Sequence, residues 1–449
     1  MGACCALGTV LDAGRLLMLR SRVRRMALVV PFMGLCSVSA AQGNVLVVGP
    51  NGFSQIQAAV QAAQDGDTIL VRVPPNGGPT YDAVDVAGKA LTIAAEPSSR
   101  QAKVRSVHVH DLPAGKTVVL SRLDALGGTL TAPSIWLRSN AGSVRVVSCD
   151  SRGAEAPFFS VLLATPAMTI SSSSGSAAFA SCGLVGGPGN RSTTDPTNPG
   201  ARGLELQDSI AAGFDSSIMG GQGDSCSFAI GVAALGGDGV FVGHSALPAR
   251  LLLSNSSVQG GRGGEAGCFP PLYCVSGNGG TGLRVGNGAA VTLQTTTPVG
   301  GPPGPQEAAG CGSIGAVGPA LANQGSLQVR PTPAIALSSP TVAGEGQTIT
   351  LTFTGTPGDR VFLIAGTQTT FRELAAGVQL VQPGPTAFPQ RGPVGILGAS
   401  GTLSLAYPLP QLPASIGAAN LWFQAFARHP DGRHTLGSFS VVTVLDSVY

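Results

Sequence analysis

Residues 53–73 read FSQIQAAVQAAQDGDTILVRV. Within it Ile56, Ala59, Val60 and Ala63 fall at i, i+3, i+4 and i+7, a narrow apolar stripe that predicts a short helix over 55–64, with Ser54 placed to cap its first turn. Asp65-Gly66 ends that helix, and Thr68 to Val73 follows as a β-branched strand. A small alanine-faced helix that turns directly into a strand asks what larger structure needs it.

Downstream the strands keep coming. TYDAVDVAGKALTIAAE, KVRSVHVHD, KTVVLSRLDALGG, SIWLRSN, SVRVVSCDSRG and FFSVLLA are each bounded by Gly, Asn, Ser or Asp. No second amphipathic helix of any length precedes residue 300, so parallel strands here are not joined by helical crossovers. The middle third then repeats. FASCGLVGG ends at Gly187, FDSSIMGG at Gly221, LLLSNSSVQGG at Gly261 and VTLQTTTPVGG at Gly301. A second phrase, GLEL, GVFV or GLRV, starts at Gly203, Gly239 and Gly282. Each unit is a strand, a turn, a strand and a glycine-rich return, too thin to enclose a core alone, so neighbours must stack.

Composition agrees. The 449 residues carry 65 Gly and 33 Pro with only 11% charged and 5% aromatic side chains, which suits extended, turn-rich β structure and excludes a charged, disordered chain. A propeller needs about four strands per repeat, and that pattern is absent. A right-handed parallel β-helix needs two or three short strands per coil, β-branched or small residues inside and returns of uneven length, all of which are present. Its open first coil also needs a plug, the part assigned to the helix.

On these residues the chain resembles the pectin-lyase-like right-handed parallel β-helix proteins, which open with a capping helix and an Asp-Gly-Asp-Thr-Ile strand like FSQIQAAVQAAQDGDTILVRV followed by TYDAVDV. The resemblance covers about 44–330 and implies the fold, not an activity, because such solenoids include polysaccharide lyases, hydrolases, epimerases, adhesins and inert scaffolds. The active members resemble one another in using acidic clusters that hold calcium with an Arg or Lys base, or paired aspartates beside His and Arg. Asp-Asp, Gly-His-Gly and Arg-x-Lys are all missing from the repeats.

Residues 1–41 read as a secretion signal: LRSRVRR is cationic, MALVVPFMGL is apolar but short, and CSVSAAQG supplies small residues for cleavage near Ala40 or Ala41. Without that leader 21 basic residues face 22 acidic ones, and no basic patch for nucleic acid follows. The expectation is a soluble, monomeric, secreted or cell-surface protein with no membrane span after cleavage. Export makes disulfides the expected state of the six remaining cysteines, Cys149, Cys182, Cys226, Cys268, Cys274 and Cys311. Cys149 and Cys182 occupy similar places in their units, CFPPLYC favours a local Cys268 to Cys274 loop, and Cys226 to Cys311 or bridges between adjacent returns complete the alternatives. Such staples would order glycine-rich loops that burial cannot.

Candidate chemistry is sparse. Asp208, Asp215 and Asp224 lie near Arg202 and offer an acidic subsite, against the plainer reading as turn residues. His108 and His110 share a strand face opposite Val107 and Val109, but no third metal ligand is identifiable. GGQGDSC and GGDGVFV place their aspartates wrongly for calcium β-rolls, so no metal or cofactor is expected. Asn190 and Asn255 head glycosylation triplets.

Beyond VRPTPA, a proline-marked linker, longer alternating strands begin, and 331–449 read as an antiparallel β-sandwich of immunoglobulin or fibronectin type. Its LWFQAFA and GTLSLAYPLP resemble C-terminal sandwich domains of secreted bacterial β-helix proteins, which implies an attachment or sorting module. Trp422 and Phe426 share a strand face and read as core. The expected function is noncatalytic binding of glycans or other surfaces along the solenoid flank. The alternative is a divergent polysaccharide lyase or glycoside hydrolase.

Overall fold

The computed structural model describes residues 43–449 except 75–77, 97–99, 128–131, 157–162, 190–197, 226–230, 267, 270–271, 307–312 and 384–391; for 268, 269 and 272–274 it describes the backbone alone. The expected leader, the FFSVLLA strand apart from its last two residues, the Asn190 triplet and the thiols of Cys226, Cys268, Cys274 and Cys311 lie outside that description.

Its regular structure is strand apart from one helix among the described residues, and most strands pair in parallel. A ten-stranded sheet runs from Val45–Val48 to Ser326–Arg330, an eight-stranded sheet from Val84–Ala87 to Leu321–Asn323, and a seven-stranded sheet from Ala102–Val104 to Pro298–Val299. The chain visits the eight-, ten- and seven-stranded sheets in turn and pairs each strand with its counterpart one unit later, an arrangement consistent with a β-helix solenoid. Alternate side chains of every coil point inward, and Val107, Val109, Ile135, Leu137, Met168, Ile170, Leu204, Leu206, Val240 and Val242 join one apolar core.

The helix spans Ile56–Ala62 and sinks Ile56, Ala59 and Val60 into that core. Its N-cap is Gln55, with no side-chain bond, so Ser54 does not cap it. The strand Val45–Val48 precedes the helix and pairs with Thr68–Val71; its four-residue apolar run carries no period that announces a strand.

Two corners of the coil are built alike. Between the eight- and ten-stranded sheets Asp111, Ser139, Ser172 and Asp208 stand in the left-handed region, φ 49° to 55°. The inward residue that follows each makes a ladder: Leu112 N donates to Asn140 Oδ1 (3.0 Å), Asn140 N to Ser173 Oγ (3.2 Å) and Ser173 N to Ser209 Oγ (3.0 Å). Between the ten- and seven-stranded sheets Arg122, Ser148, Ser181, Asp215, Asn255 and Thr295 repeat the conformation, φ 49° to 58°. Here Leu123 N donates to Cys149 Sγ (3.4 Å), Cys182 N to Ser216 Oγ (3.1 Å), Ser216 N to Ser256 Oγ (3.2 Å) and Ser256 N to Thr296 Oγ1 (3.1 Å). These ladders satisfy backbone groups that the corner removes from the sheets.

The glycine-rich returns are ordered by backbone hydrogen bonds between layers. Each leaves the seven-stranded sheet, comes back to the eight-stranded sheet, and both arms bond to their neighbours. Ala201 N donates to Gly187 O, Gly221 N to Ala201 O, Gly237 N to Gly221 O, Gly261 N to Gly237 O, Gly280 N to Gly261 O, Gly301 N to Gly280 O and Gly318 N to Gly301 O, at 2.7–2.9 Å. Within one layer the donors recur every third residue, as Gly186 to Met219 and Gly189 to Gln222, or Gly236 to Asn278 and Gly239 to Thr281. That spacing matches the three-residue turn of a polyproline-II helix, which has no internal bonds and leaves its donors and acceptors to neighbours. A Cβ at Gly221 or Gly261 would overlap the carbonyl oxygen of Gly187 or Gly221, so the slab closes only with glycine at its interior. Its final arm carries Pro303 where earlier arms carry Gly223 and Gly263, which donate to Arg262 O (2.9 Å) and Pro302 O (3.0 Å). Among the described residues no arm follows for a donor at 303 to reach, and proline has no N–H to leave unpaired.

Residues after 333 form a three-stranded antiparallel sheet (Ala336–Ser338, Thr348–Thr354, Thr402–Pro408), a five-stranded sheet and a hairpin of Gln368–Leu374 with Gly377–Gln382. The two sheets share a cluster that includes Leu351, Phe353, Val361, Phe423 and Val442. One pairing departs from the antiparallel expectation: Val342–Gly344 runs parallel to the strand His434–Leu445. This part lies on the outer face of the ten-stranded sheet, where Val147, Ala178, Ala180, Phe214 and Leu252 meet Leu380, Val381, Trp422, Phe439 and Val441. The fully buried Arg145, its guanidinium pushed down to about 9 by desolvation, donates across the seam to Thr370 O (3.2 Å). The VRPTPA segment is tied down as well, by Gln294 Nε2 on the carbonyl of Thr332 (3.1 Å), and residues 41–449 make one compact unit. Trp422 is core, while Phe426 is half-buried against Phe362 with ring centroids 5.5 Å apart.

Candidate functional site: the outer face of the eight-stranded sheet

With the outer face of the ten-stranded sheet covered, the eight-stranded sheet presents an ordered array of polar and aromatic side chains. Its register places Asp85, His108, Trp136, Thr169, Glu205, Phe241 and Arg284 in one outward row, one residue per coil. Strand spacing sets neighbours about 4.8 Å apart. A second row two residues on holds His110, Arg138, Ser171 and Gln207.

The row is braced from within. Arg138 lies over the Trp136 ring at 4.8 Å, His108 meets the same ring edge-on at 5.6 Å, and Trp136 Nε1 donates to Ser171 Oγ (3.4 Å). Arg202 stacks on Phe241 at 3.9 Å while its Nη1 bonds Glu205 Oε1 (2.7 Å), and Gln207 Nε2 bonds the same oxygen (2.5 Å). Arg284 is held by Asp238, Nε to Oδ2 2.8 Å. The result is two aromatic rings, each partnered by a guanidinium, on either side of a carboxylate and an amide.

The two histidines share a strand face as expected but differ in state. Burial pushes His108 down. His110 is raised, chiefly by its hydrogen bond to Asp111 (Nδ1 to Oδ2 2.8 Å), with Asp85 at 3.0 Å from Nε2. Among the described residues no group of three or more His, Cys, Asp or Glu is placed to hold a metal ion.

The acidic subsite drawn from sequence comes apart. Asp208 and Asp215 are left-handed corner residues on different corners, and Asp224 belongs to the glycine slab. Asp208 accepts from Ser245 N (2.7 Å), Ser245 Oγ (2.5 Å), Ala246 N (3.0 Å) and Leu247 N (3.2 Å), and these bonds hold it well below the carboxylate range. Asp215 is raised by burial and accepts from Asn255 Nδ2 (2.7 Å). Asp224 is buried, with its backbone tied to Asn198 and Ala234. Seven- and nine-residue separations step around a coil, so they send side chains to different sides. Arg202 alone reaches the candidate face.

Cys149 and Cys182 are in register, as their places in the repeat imply, but both are buried free thiols. They fill the ladder positions that Ser216, Ser256 and Thr296 fill later. The backbone register of the Cys268 segment pairs Cys268 with Tyr273, and Cys274 with Gly231 of the preceding return.

Sequence reading missed the aromatic row, although Glu205, Phe241 and Arg284 are the third letters of GLEL, GVFV and GLRV. It also missed a carboxylate pair on the seven-stranded sheet, where Lys103, Asp124 and Asp150 stand in register and Arg152 follows Asp150 on the same face. Burial raises Asp124, and the nearby Asp150 adds to it. None of the described helices is long and apolar enough to cross a membrane. Comparison with protein-family models, with curated proteins and with solved structures finds no match to this chain.

Proposed function

We propose that this protein is an exported, noncatalytic solenoid that binds glycans along the outer face of its eight-stranded sheet. In this reading the solenoid is a right-handed β-helix of the pectin-lyase-like kind, closed at its first coil by the helix at 56–62 and followed by a β-sandwich. The observation that carries it is the row from Trp136 through Thr169 and Glu205 to Phe241, one side chain per coil. Aromatic rings offer apolar surface to sugar C–H groups, and the guanidinium, carboxylate and amide groups between them suit hydroxyls. Strand spacing of about 4.8 Å is comparable to the advance of an extended glycan per sugar. Secretion or surface display rests on the leader-like residues 1–41.

A second reading, a divergent glycoside hydrolase or polysaccharide lyase, is favoured by the Asp124–Asp150 pair beside Lys103 and Arg152. Two carboxylates in register on adjacent strands, about 4.8 Å apart by strand spacing and one of them raised by burial, come near the separation of about 5 Å that retaining hydrolysis uses. Incubating the purified chain with a panel of polysaccharides tests both. Retention without new reducing or unsaturated ends, lost in Trp136→Ala, supports the binder. New ends that vanish in Asp124→Asn overturn it in favour of the enzyme.

A further inference from the structure

Between the segment 78–81 and the strand Ala102–Val104, at the edge of the seven-stranded sheet, lies a cavity of about 190 Å³. Its wall holds Val73, Tyr81, Arg100, Gln101, Lys103 and Asp124, so three stretches of chain bring two basic residues, a glutamine and a tyrosine to one small space. We propose that this cavity binds an oxyanion with several acceptor oxygens, a phosphate or sulfate group, free or esterified to a sugar.

The argument is one of donors and charge. Lys103 is exposed and makes no ion pair within 4 Å among the described residues, although Asp124 opposes it in register. Gln101 is fixed by its amide bond to Ser148 O (2.9 Å), which sets its orientation on the wall. An ammonium group carries donors and no acceptor, and is best satisfied by an anion. Asp124, the one carboxylate among the described lining residues, is desolvated and shifted toward its neutral form, which lowers its opposition to a second negative group. The volume suits one small group or ring rather than a chain. The inference is independent of the glycan reading, because the cavity opens from a different sheet.

Titration calorimetry of the full chain with inorganic phosphate, inorganic sulfate, glucose 6-phosphate and glucose tests it. Saturable binding of phosphate or sulfate is expected with Kd about 1 mM or tighter. Lys103→Gln and Arg100→Gln should each weaken it at least about fivefold, and Asp124→Asn should strengthen it, since each step moves one charge near the ligand. Arg262→Gln, an exposed arginine on the glycine slab, should leave it unchanged. Glucose 6-phosphate binding tighter than phosphate identifies a sugar ester as ligand, and the reverse order identifies the free anion. Absence of saturation up to 10-fold above that Kd, equal binding of glucose, or equal weakening by Arg262→Gln would each overturn the proposal; circular dichroism of each variant establishes that it is folded.

Discussion

Cys149 and Cys182 lie side by side in successive coils, between the register pairs Val147 with Ala180 and Asp150 with Gly183. Neither is bridged, because the position asks for a small acceptor facing inward. Cys149 Sγ takes the N–H of Leu123, as Ser216 Oγ takes that of Cys182.

Both thiols should therefore be unreactive in the native protein. Burial pushes Cys182 up to about 12 and Cys149 well above its ordinary value, so little thiolate exists near neutral pH. Differential alkylation with peptide mapping should label both only after unfolding. Failure to label either under denaturing, non-reducing conditions would mean that they are linked after all. Cys182→Ser should keep stability within about 1 kcal/mol, whereas Ser216→Ala, which strips an acceptor from a buried N–H, should cost about 1–3 kcal/mol.

The glycine slab makes an equally sharp prediction. Gly221→Ala drives a methyl group into the carbonyl of Gly187 and should cost about 3 kcal/mol in denaturant unfolding. Gly115→Ala is the contrast: its φ of +82° strains a side chain, but nothing lies within 4 Å, so about 1 kcal/mol is expected. Equal costs would show that the slab yields more readily than its hydrogen bonds imply.

His110 gives stability a pH dependence. Its folded value is raised above the unfolded one by Asp111 and Asp85, so its contribution is complete below the unfolded value of about 6.5 and fades as pH rises through the folded one. The unfolding free energy of the native chain should exceed that of His110→Gln by more at pH 5.5 than at pH 8.5. A gap that widens toward alkaline pH would reverse the assignment.

On the candidate face, Trp136 is half-buried and Trp422 is buried against the ten-stranded sheet. Acrylamide should quench the first and spare the second, and a bound glycan should protect the first. Trp136→Ala and Phe241→Ala should each lower glycan retention about tenfold with the fold intact. Unchanged retention in both would remove this face from consideration.

Much of the architecture was legible because the repeat advertises itself: strands that recur behind Gly-Gly can only be stacked. Alternation also exposed the face shared by His108 and His110. The corners were harder, since a left-handed Asp208 or Asp215 looks in sequence like any acidic residue, and only the closed coil reveals that they stand on separate sides. The slab was invisible because a three-residue turn with no internal bonds matches neither the helical nor the strand period, and glycine reads as looseness until a neighbour supplies its partner. The docking of residues after 333 was hidden for another reason: Phe214 and Leu252 face outward, and nothing local says what will cover them.

Pro303 carries a lesson about length. Copying an interior unit, glycines and corner residues included, would give both neighbours partners and so lengthen the molecule. Appending the same unit after the last one would leave one of its carbonyls without the donor that Gly223 and Gly263 supply inside. The protein thus carries, at one position of its last layer, an imino acid in place of an invitation to extend.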